Sequence, residues 1–373
     1  MRHNEAKSKK TKVLIFYYGT NYGGTDTFLR TLLPAFLREF EIVIASTMES
    51  NGFSELNGGR PIKHYQVPLK KWYLAFGSFH LISIILREKV DVLFTQEIIT
   101  SIMSRHLKIF FPRLKHATSI LSNLRAFKLN SPLYINTWLM LNRLTWFLVD
   151  KYICISNYLV NDYLLKEGIP RERIAMAYCG LTPGRTVVKK SVVSPQWKVG
   201  YIGRLSYEKG FDLFLQIAKE FVPVQREYQF EAFGGWGFQA DEAKEMGVKL
   251  PGFFKYNGYV KDIDRHFFEL DAIIIPSRDE GFCYVVLEAY NFGVPVICSD
   301  VGALPELVTD GETGVLCPPE NIGAFVAAIK QLKNDRVFRE KIIDGGRERA
   351  KLFTAQKMQN EYVALIKGLF AHD

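Results

Sequence analysis

Several signatures of other protein classes are missing from this chain of 373 residues. Its five cysteines are odd in number and include no Cys-x-x-Cys pair, so we expect neither a zinc site nor a complete disulfide framework. Residues 1–12 are polar and basic and lack the apolar segment and small-residue cleavage site of a signal peptide. We therefore expect no signal peptide and a cytoplasmic location.

Long apolar runs are also missing. The most apolar window, residues 133–149, is interrupted by Asn136, Asn142 and Arg143 and is shorter than the roughly 20 residues that a membrane-spanning helix needs. We predict a buried or interfacial helix there. Apolar residues make up 48% of the chain and charged residues 23%, which excludes a disordered or fibrous protein.

The basic residues are concentrated in the first half of the chain. Residues 1–190 hold 27 Lys and Arg against 13 Asp and Glu, whereas residues 191–373 hold 21 against 26. A basic half joined to an acidic half indicates that one domain meets an anionic surface or substrate. No nucleic-acid recognition motif accompanies the charge, so we expect no nucleic-acid partner.

Basic and aromatic residues interleave at 70–73 and at 105–115. This mixture suits the headgroup layer of a membrane, where rings occupy the interface and cations meet anionic lipid. A half-buried helix with a solvated basic edge explains the second segment equally well. Peripheral attachment to the inner face of the cytoplasmic membrane is our hypothesis.

Short β-branched runs alternate with helical stretches in both halves of the chain. We predict strands at residues 13–18, 41–46, 90–95, 117–121, 152–155, 199–202, 229–233, 255–258, 272–275 and 294–298. The alternation predicts two doubly wound α/β domains with parallel sheets, at residues 1–185 and 186–354, joined by a polar linker at 183–196. Ligands of such sheets bind beyond the carboxyl ends of the strands, so two facing domains create one cleft. The C-terminal segment, residues 355–373, is predicted to form a helix that packs across the domain junction.

A predicted phosphate site follows the strand at 272–275. Pro276 ends the strand, Gly281 lies in the next loop, and a helix begins near Cys283. Backbone amides at such a helix N-terminus are presented to an anion. The residues of this predicted site are Gly281, Phe282, Cys283, Tyr284 and Val285.

Two carboxylates lie beside this site. Glu280 comes just before the helix and Glu288 about a turn and a half inside it, so both can face one ligand. Next to a phosphate, carboxylates are best explained as acceptors for sugar hydroxyls. Taken alone, the pair is equally a helix cap and a solvated surface charge.

Two cations follow the first strand of the second half. Gly203 and Arg204 begin a strand-to-helix loop that also carries Lys209. Arg204, through its bidentate fork, and Lys209, as a point charge, could together neutralise a diphosphate. Exposed surface cations are the alternative interpretation.

In the first half, the strand at 13–18 leads to the pair Gly23 and Gly24, followed by a helix. A glycine pair lets the backbone approach a phosphate or sugar closely. A nicotinamide cofactor does not fit, because the spacing is not Gly-x-Gly-x-x-Gly and the second strand ends at Ser46 and Thr47 rather than in an acidic residue.

Together these motifs resemble those of the family 4 glycosyltransferases, which have the GT-B fold. Glu280 and Glu288 reproduce the family's Glu-x7-Glu spacing, and residues 203–210 resemble its Gly-Arg-Leu-x-x-x-Lys-Gly loop. Residues 295–306 and 310–314 match the segment that follows the Glu pair, and Gly23-Gly24 resembles the family's Gly-Gly loop.

The resemblance implies a role for each motif. It implies that Glu280 contacts hydroxyls of the transferred sugar, that Glu288 holds the nucleotide ribose, and that Arg204 and Lys209 hold the donor diphosphate. We assign catalysis to Arg204, Lys209 and Glu280 and expect the backbone at Tyr259 and Val260 to touch the base. Family members need no metal, so Asp262 and Asp264 are interpreted as helix-capping residues rather than metal ligands.

One feature departs from the family pattern. Family members carry histidines after strands of the N-terminal domain, where this chain has Gln96-Glu97 and Ser122-Asn123. The hydrogen-bonding role of the histidine passes to one of these residues or is missing. Glu97 and Asn123, with Gly23, are our acceptor-side candidates.

The expected function is transfer of a sugar from a nucleoside-diphosphate donor to a hydroxyl of a glycan or lipid-linked acceptor. The resemblance implies a retaining reaction, and we expect it to serve bacterial cell-surface polysaccharide or glycolipid synthesis. Two alternatives stay open: a non-catalytic homologue that binds a nucleotide sugar, and a nucleotide-sugar epimerase.

Overall fold

The computed structural model describes residues 10–18, 23–47, 53–67, 74–126, 132–182, 196–235, 252–260 and 262–371. The chain divides into two compact units. The first comprises Met1–Leu124, Leu129–Cys179 and Ala355–Asp373, and the second Arg125–Lys128 and Gly180–Thr354. Most of the predicted linker, residues 183–195, lies outside the described residues.

The described part of the first unit contains a seven-stranded parallel sheet in the order β3-β2-β1-β4-β5-β6-β7. Its interior strand β1 is buried from Val13 to Tyr17 and mostly apolar there, as expected of a strand covered on both faces. The strands are β1 (Lys12–Tyr17), β2 (Glu41–Ser46), β3 (Lys63–Gln66), β4 (Val92–Gln96), β5 (Lys115–Ile120), β6 (Lys151–Cys154) and β7 (Ile174–Met176).

Helices cover this sheet. In the first of them, Phe28, Leu32 and Phe36 recur every four residues and are fully buried, which is the spacing of one helix face. The helices are α1 (Gly24–Glu39), α2 (Leu74–Glu88), α3 (Ile98–Ser104), α4 (Leu107–Phe110), α5 (Pro132–Thr145) and the C-terminal helix (Ala355–Lys367). Single turns of 3-10 helix lie at Ser54–Asn57, Leu124–Ala126, Trp146–Leu148, Arg171–Arg173 and Gly368–Phe370.

The described part of the second unit contains a six-stranded parallel sheet in the order β10-β9-β8-β11-β12-β13. The strands are β8 (Trp197–Ile202), β9 (Tyr228–Phe233), β10 (Phe254–Tyr256), β11 (Ala272–Ile275), β12 (Val296–Ser299) and β13 (Val315–Cys317). The helices are α6 (Phe211–Lys219), α7 (Asp264–Phe267), α8 (Tyr284–Phe292), α9 (Leu304–Leu307), α10 (Ile322–Asn334) and α11 (Arg336–Ala350), with a 3-10 turn at Val222–Val224. An aromatic core that includes Phe214, Phe221 and Phe230 packs between β9 and α6.

Each sheet has one point where the strand order reverses direction. In the first unit β1 lies between β2 and β4, and in the second β8 lies between β9 and β11. The helices that follow the two strands at such a point go to opposite faces, which leaves a crevice at their carboxyl ends. The loops after β1 and β4, and those after β8 and β11, are therefore the places to look for ligands.

The structure differs from the sequence prediction in three edge elements and one helix. Strands β3, β7 and β13 were not predicted, because they are only three or four residues long and β3 is polar. The strand–helix alternation predicts an α-helix after β6, but Leu159–Leu164 form a π-helix. The apolar window at 133–149 is α5 with the following 3-10 turn, buried on one side at Trp138 and Leu139.

The basic segment at 105–115 is not a uniform surface. Arg105 is fully buried, and its guanidinium donates to the Asn142 amide oxygen (2.9 Å) and to Thr145 Oγ1 (3.1 Å). This cation joins α5 to the end of α3 and cannot contact lipid, contrary to the membrane interpretation of the whole segment. The other interleaved segment, residues 70–73, lies outside the described residues. No helix in the described part of the chain is both long and apolar enough to span a membrane.

The C-terminal helix, predicted to pack across the domain junction, belongs to the first unit and packs on α1. Tyr362 is fully buried, its ring lies 5.4 Å from that of Phe28, and its hydroxyl is 2.8 Å from Ser119 Oγ on β5. Gln359 Nε2 donates to the carbonyl of Thr31 at 2.7 Å. One aromatic side chain thus attaches the end of the chain to both a helix and the sheet.

We expect Tyr362→Ala to lower the free energy of unfolding of the first unit by about 3–5 kcal/mol, because it removes a buried ring. Tyr362→Phe keeps the ring and leaves Ser119 unpaired, so about 1–2 kcal/mol is expected. Urea denaturation followed by circular dichroism measures both. Tyr18→Phe, at a side chain 46% exposed, should be neutral. Equal losses for Tyr362→Phe and Tyr362→Ala would contradict this account.

Candidate active site

A lysine and a glutamate from the two loops at the reversal point meet in the second unit. Lys209, after β8, places Nζ 2.7 Å from Oε2 of Glu280, which follows β11. Ser277 Oγ donates to the other carboxylate oxygen, Oε1, at 2.9 Å. Glu280 is only 5% exposed, so these contacts offset the cost of burying its charge. Two of the three predicted catalytic residues are thus in contact.

Two glycines make this meeting sterically feasible. Gly210 has φ +66°, and a Cβ there would lie 1.8 Å from the carbonyl oxygen of Pro276. Gly302 has φ +55°, and its Cβ would lie 2.3 Å from the carbonyl oxygen of Glu280. That same carbonyl accepts a hydrogen bond from the Ala303 amide at 2.9 Å. The loop that carries Glu280 is therefore enclosed on two sides by backbone that tolerates no side chain.

Arg204 lies on the same loop as Lys209 but has a different partner. Its Nη2 is 3.1 Å from Oε1 of Glu208, and its side chain is 43% exposed. The preceding residue, Gly203, donates its amide to the carbonyl of Phe233 at 3.0 Å, and Gly234 donates to Gly258 at 2.9 Å. These bonds align the loops that follow β8, β9 and β10.

The predicted helix N-terminus is present. Helix α8 begins at Tyr284, and Cys283 is its N-cap with φ 96° and ψ 88°. A residue other than glycine is strained in this region of φ and ψ, and such strain is concentrated at functional sites. Gly281 and Phe282 are buried, whereas Tyr284 and Val285 in the first turn are half-buried. The sequence predicts an anion site at this first turn, where backbone amides are directed along the helix axis, and that assignment stays a prediction.

The two predicted carboxylates occupy different electrostatic environments. Burial, with a smaller contribution from Asp264, raises the pKa of Glu288 to about 7. Burial also raises the pKa of the Cys283 thiol, and the charges of both Glu280 and Glu288 add to that shift. The two carboxylates therefore both act on the N-cap residue of α8. With a pKa of about 7, the Glu288 carboxyl is about half protonated at pH 7.

The aspartates at the start of α7, Asp262 and Asp264, do not cap this helix as predicted. Ile263, rather than Asp262, is the N-cap of this helix, and no side-chain capping bond is present there within the described residues. Burial and the nearby Asp262 raise the pKa of Asp264. Within the same described ranges, no cluster of three or more His, Cys, Asp or Glu residues could hold a metal ion. Tyr259 and Val260 follow β10, and Tyr259 is 51% exposed.

In the first unit, Glu97 and Asn123 follow the adjacent strands β4 and β5. Ser122 Oγ is 3.1 Å from each carboxylate oxygen of Glu97, and Asn123 Nδ2 donates to Tyr158 Oη at 2.9 Å. Glu97 has φ 75° and is the N-cap of α3. It thus matches Cys283 of the second unit in position and in backbone strain.

The glycine pair of the first unit begins α1. Gly23 is the N-cap, with φ 172°, and its carbonyl accepts from the amide of Asp26 at 2.9 Å. That φ is open to any residue, and a Cβ at Gly23 would meet no described atom within 4 Å. Packing of the described residues therefore does not require glycine here. Gln96 Nε2 donates to the carbonyl of Thr25 at 3.3 Å, which joins the end of β4 to this helix start.

His116 lies at the start of β5 rather than after the strand, where the family pattern has a histidine. His116 Nε2 is 3.2 Å from Thr95 Oγ1, but the ring is fully buried within β5. Burial, with the charges of Arg105 and Lys108, keeps the pKa of His116 well below 6.5. This neutral core side chain does not reach the loops after β4 and β5.

Comparison with known proteins places both units in one family. The family model for glycosyl transferases group 1 matches residues 186–349, and the model for Glycosyltransferase Family 4 matches residues 22–185. The chain belongs to the family 4 glycosyltransferases. The resemblance of the sequence motifs to this family is therefore confirmed.

Relatives of this family 4 chain include mannosyltransferases. O-antigen chain mannosyltransferase B of Escherichia coli is 31% identical over 190 residues, 49% of this chain and 49% of that protein. Lipopolysaccharide core biosynthesis mannosyltransferase LpsB of Rhizobium meliloti (strain 1021) is 34% identical over 162 residues, 41% of this chain and 46% of that protein. The chain thus spans about half the length of the curated relatives it matches.

Solved structures match the family 4 chain along most of its length. Anabaena HepE in complex with UDP-glucose has a TM-score of 0.81 at 17% identity and covers 96% of this chain and 99% of its own. Sucrose-phosphate synthase from Thermosynechococcus elongatus has a TM-score of 0.79 at 17% identity and covers 98% and 100%. At this identity the likeness establishes the fold, which is GT-B as the sequence predicts.

The raised pKa of Glu288 predicts a pH-dependent stability difference. Glu288 holds its proton up to about pH 7 in the folded state but releases it near pH 4.5 in the unfolded state. The bound proton stabilises the folded state, and this stabilisation is lost as the pH rises through about 7. Glu288→Gln should therefore stabilise the second unit by about 2–3 kcal/mol at pH 8 and by less than about 1 kcal/mol at pH 5. Denaturant titrations between pH 5 and 8 measure the difference.

Glu340→Gln supplies the control for this titration, because Glu340 lies on an exposed helix face beside Arg336. It should give no pH-dependent gain. A constant difference between Glu288→Gln and wild type across this pH range would contradict a raised pKa.

Proposed function

We propose that this protein transfers a sugar from a nucleoside-diphosphate donor to a hydroxyl acceptor, with retention of the anomeric configuration. The contact between Lys209 and Glu280, beside the start of α8, is the observation that carries the proposal. It supports the proposal because a cation, a carboxylate and the start of a helix lie together at the reversal point of a parallel sheet, where such sheets bind ligands. Family membership supports the same activity.

Lys209 is suited to hold Glu280 and a phosphate together. An ammonium group has three donors, and one of them is directed at Oε2 of Glu280. Two donors are then left for the oxygens of a leaving diphosphate. Arg204, half exposed beside Glu208, adds a second cation that can exchange its carboxylate partner for phosphate.

Charge that develops on the departing diphosphate is stabilised by Lys209, Arg204 and the amides of residues 283–285. This is electrostatic catalysis by groups already in place before the reaction. Glu280 orients the sugar through its carboxylate oxygens, and Glu288 accepts a hydroxyl of the ribose. Tyr259 and Val260 contact the base. The proposal requires no metal ion.

On the acceptor side, we assign orientation of the attacking hydroxyl to the first unit. Glu97 supplies a carboxylate held by Ser122, and Asn123 supplies an amide held by Tyr158. A Cβ at Gly23 would meet no described atom within 4 Å, so the start of α1 has room for a ligand beside the glycine pair. We assign to these residues the hydrogen-bonding role of the histidine that the chain lacks after β4 and β5.

The proposed acceptor is a glycan or lipid-linked sugar of a bacterial cell surface. Two relatives carry names that refer to the O-antigen chain and to the lipopolysaccharide core, and both are mannosyltransferases. We therefore place the protein in polysaccharide or glycolipid synthesis, and GDP-mannose and UDP-glucose are the first donors to test.

Lys209→Met and Glu280→Gln should each lower the transfer rate by about 10²–10³-fold, because each removes a group that contacts the reacting sugar phosphate. A panel of nucleotide sugars, screened first by ligand-induced thermal stabilisation, identifies the donor, and product formation is then followed with lipid-linked acceptors. Lys351→Met, at a lysine 68% exposed beside Glu348, should retain wild-type turnover.

The competing functions give different results in the same assay. Wild-type protein that binds a nucleotide sugar without transfer or hydrolysis would identify a non-catalytic homologue. An epimerised nucleotide sugar formed without acceptor would identify an epimerase. Wild-type turnover in Lys209→Met would refute the assigned site, and an inverted anomeric centre in the product would refute retention.

We further propose that the protein attaches peripherally to an anionic membrane through the first unit. Met140 and Leu144 lie one turn apart on α5 and are 54% and 61% exposed, and Phe147 in the following 3-10 turn is 55% exposed. Ile109 and Phe110 on the adjoining α4 are 66% and 65% exposed. With the net positive charge of this half of the chain, such a surface suits the lipid interface.

Sedimentation with vesicles tests the attachment. Wild-type protein should bind vesicles that contain phosphatidylglycerol more strongly than vesicles of phosphatidylcholine alone. The double variant Leu144→Ser, Phe147→Ser should lower binding at least about tenfold, since each large apolar side chain contributes about 1.5–3 kcal/mol when buried. Val337→Ser, at a residue 79% exposed in the second unit, should bind as wild type. Equal binding of the double variant would refute this surface.

A further inference from the structure

Arg278 lies at the centre of a set of contacts between the two loops that carry Lys209 and Glu280. Its Nη1 and Nη2 donate to the two carboxylate oxygens of Asp212 at 2.7 and 2.8 Å. Its Nε donates to Oε1 of Glu320 at 2.6 Å. The guanidinium carbon lies 3.7 Å from the centre of the Tyr207 ring. We call Arg278, Asp212, Glu320 and Tyr207 the Arg278 network.

The network also fixes the backbone on either side of Lys209. Arg278 Nη1 donates to the carbonyl of Tyr207 at 2.6 Å, and the Arg278 amide donates to the carbonyl of Glu208 at 2.9 Å. Asp212 lies in the first turn of α6, three residues beyond Lys209. The loop after β8 is therefore held before and after Lys209 by one residue of the other loop.

The same arginine is two residues from Glu280. Any shift of Arg278 relative to Asp212 would displace Lys209 relative to Glu280. The distance between Lys209 Nζ and Glu280 Oε2 must stay near 2.7 Å if both groups are to bind one ligand. A guanidinium makes these bonds in a planar fork that an ammonium group cannot reproduce. The side chains of Arg278 and Asp212 are only 17% and 23% exposed, so solvent screens this pair less than an exposed ion pair.

We propose that Arg278 is a positioning residue that keeps the two loops in register for nucleoside-diphosphate binding. Arg278 does not touch the donor; it acts through Lys209 and Glu280. The ligand part of this inference rests on the proposed function, whereas the register of the loops does not.

The first arm of the test needs no ligand. Hydrogen exchange, measured by mass spectrometry, should be at least about tenfold faster in Arg278→Lys than in wild type in peptides covering 203–212 and 276–284, because the bonds between the loops are local. Peptides from β9 and α10 should be unchanged. Asp212→Asn removes the other half of the fork and should give the same pattern. Wild-type exchange in both loops of both variants would overturn the proposal.

The second arm uses UDP as the probe of a nucleoside-diphosphate site. The Kd of Arg278→Lys for UDP should be about tenfold higher than that of wild type, as expected when a site loses its preorganisation. Arg336→Lys changes an exposed arginine paired with Glu340 in the same unit and should bind UDP as wild type. Ile329→Val, in the buried core of that unit, lowers Tm without contact with the network.

The pattern across variants separates positioning from general stability. Positioning predicts a higher Kd for Arg278→Lys than for Ile329→Val even when Ile329→Val lowers Tm equally. Equal Kd values for these two variants would overturn it. Wild-type protein that binds neither UDP nor GDP would contradict the proposed function instead, and the exchange measurement would still decide whether Arg278 holds the loops.

Discussion

The buried carboxylate of Glu280 is the constraint on which the second unit's candidate site depends. A charge only 5% exposed must have partners, and Lys209 and Ser277 supply them from both sides. Because Lys209 follows β8 and Glu280 follows β11, the loops after these two strands must lie within one side-chain length of each other. The glycines at 210 and 302 and the contacts of Arg278 each serve that approach. The need to pair one buried charge thus accounts for the roles of residues from 209 to 302 that are far apart in the sequence.

Much of this site could be predicted from sequence because its motifs are local. Glu280 follows a strand and precedes a helix, and Lys209 follows another strand, so the parallel topology alone brings them to one edge. Arg278 lies in the same motif as Glu280 but was not singled out. Its partners Asp212 and Glu320 are 66 and 42 residues away, and no periodicity reports such a contact. Gly302 was likewise missed, because only the folded backbone reveals what a Cβ would strike.

In the first unit, the sequence predicted the positions of the candidate residues better than their contacts and backbone conformation. Glu97 and Asn123 follow the expected strands, but their partners Ser122 and Tyr158 and the strained backbone of Glu97 depend on the fold. The pattern of apolar and charged residues led to one wrong prediction. It indicated that Arg105 is a surface cation, but Arg105 is fully buried and donates to Asn142 on α5. Edge strands β3, β7 and β13 escaped prediction because three or four residues carry too little pattern.

The two glycines that enclose the Glu280 loop also limit how this protein can diverge. No side chain fits at 210 or 302 without moving the backbone of Pro276 or Glu280, so the loop cannot be reshaped by single small substitutions. Half-exposed neighbours such as Tyr259, Tyr284 and Val285 have no such restriction. Sequence divergence near this site is therefore expected at those positions, while the rigid centre stays the same.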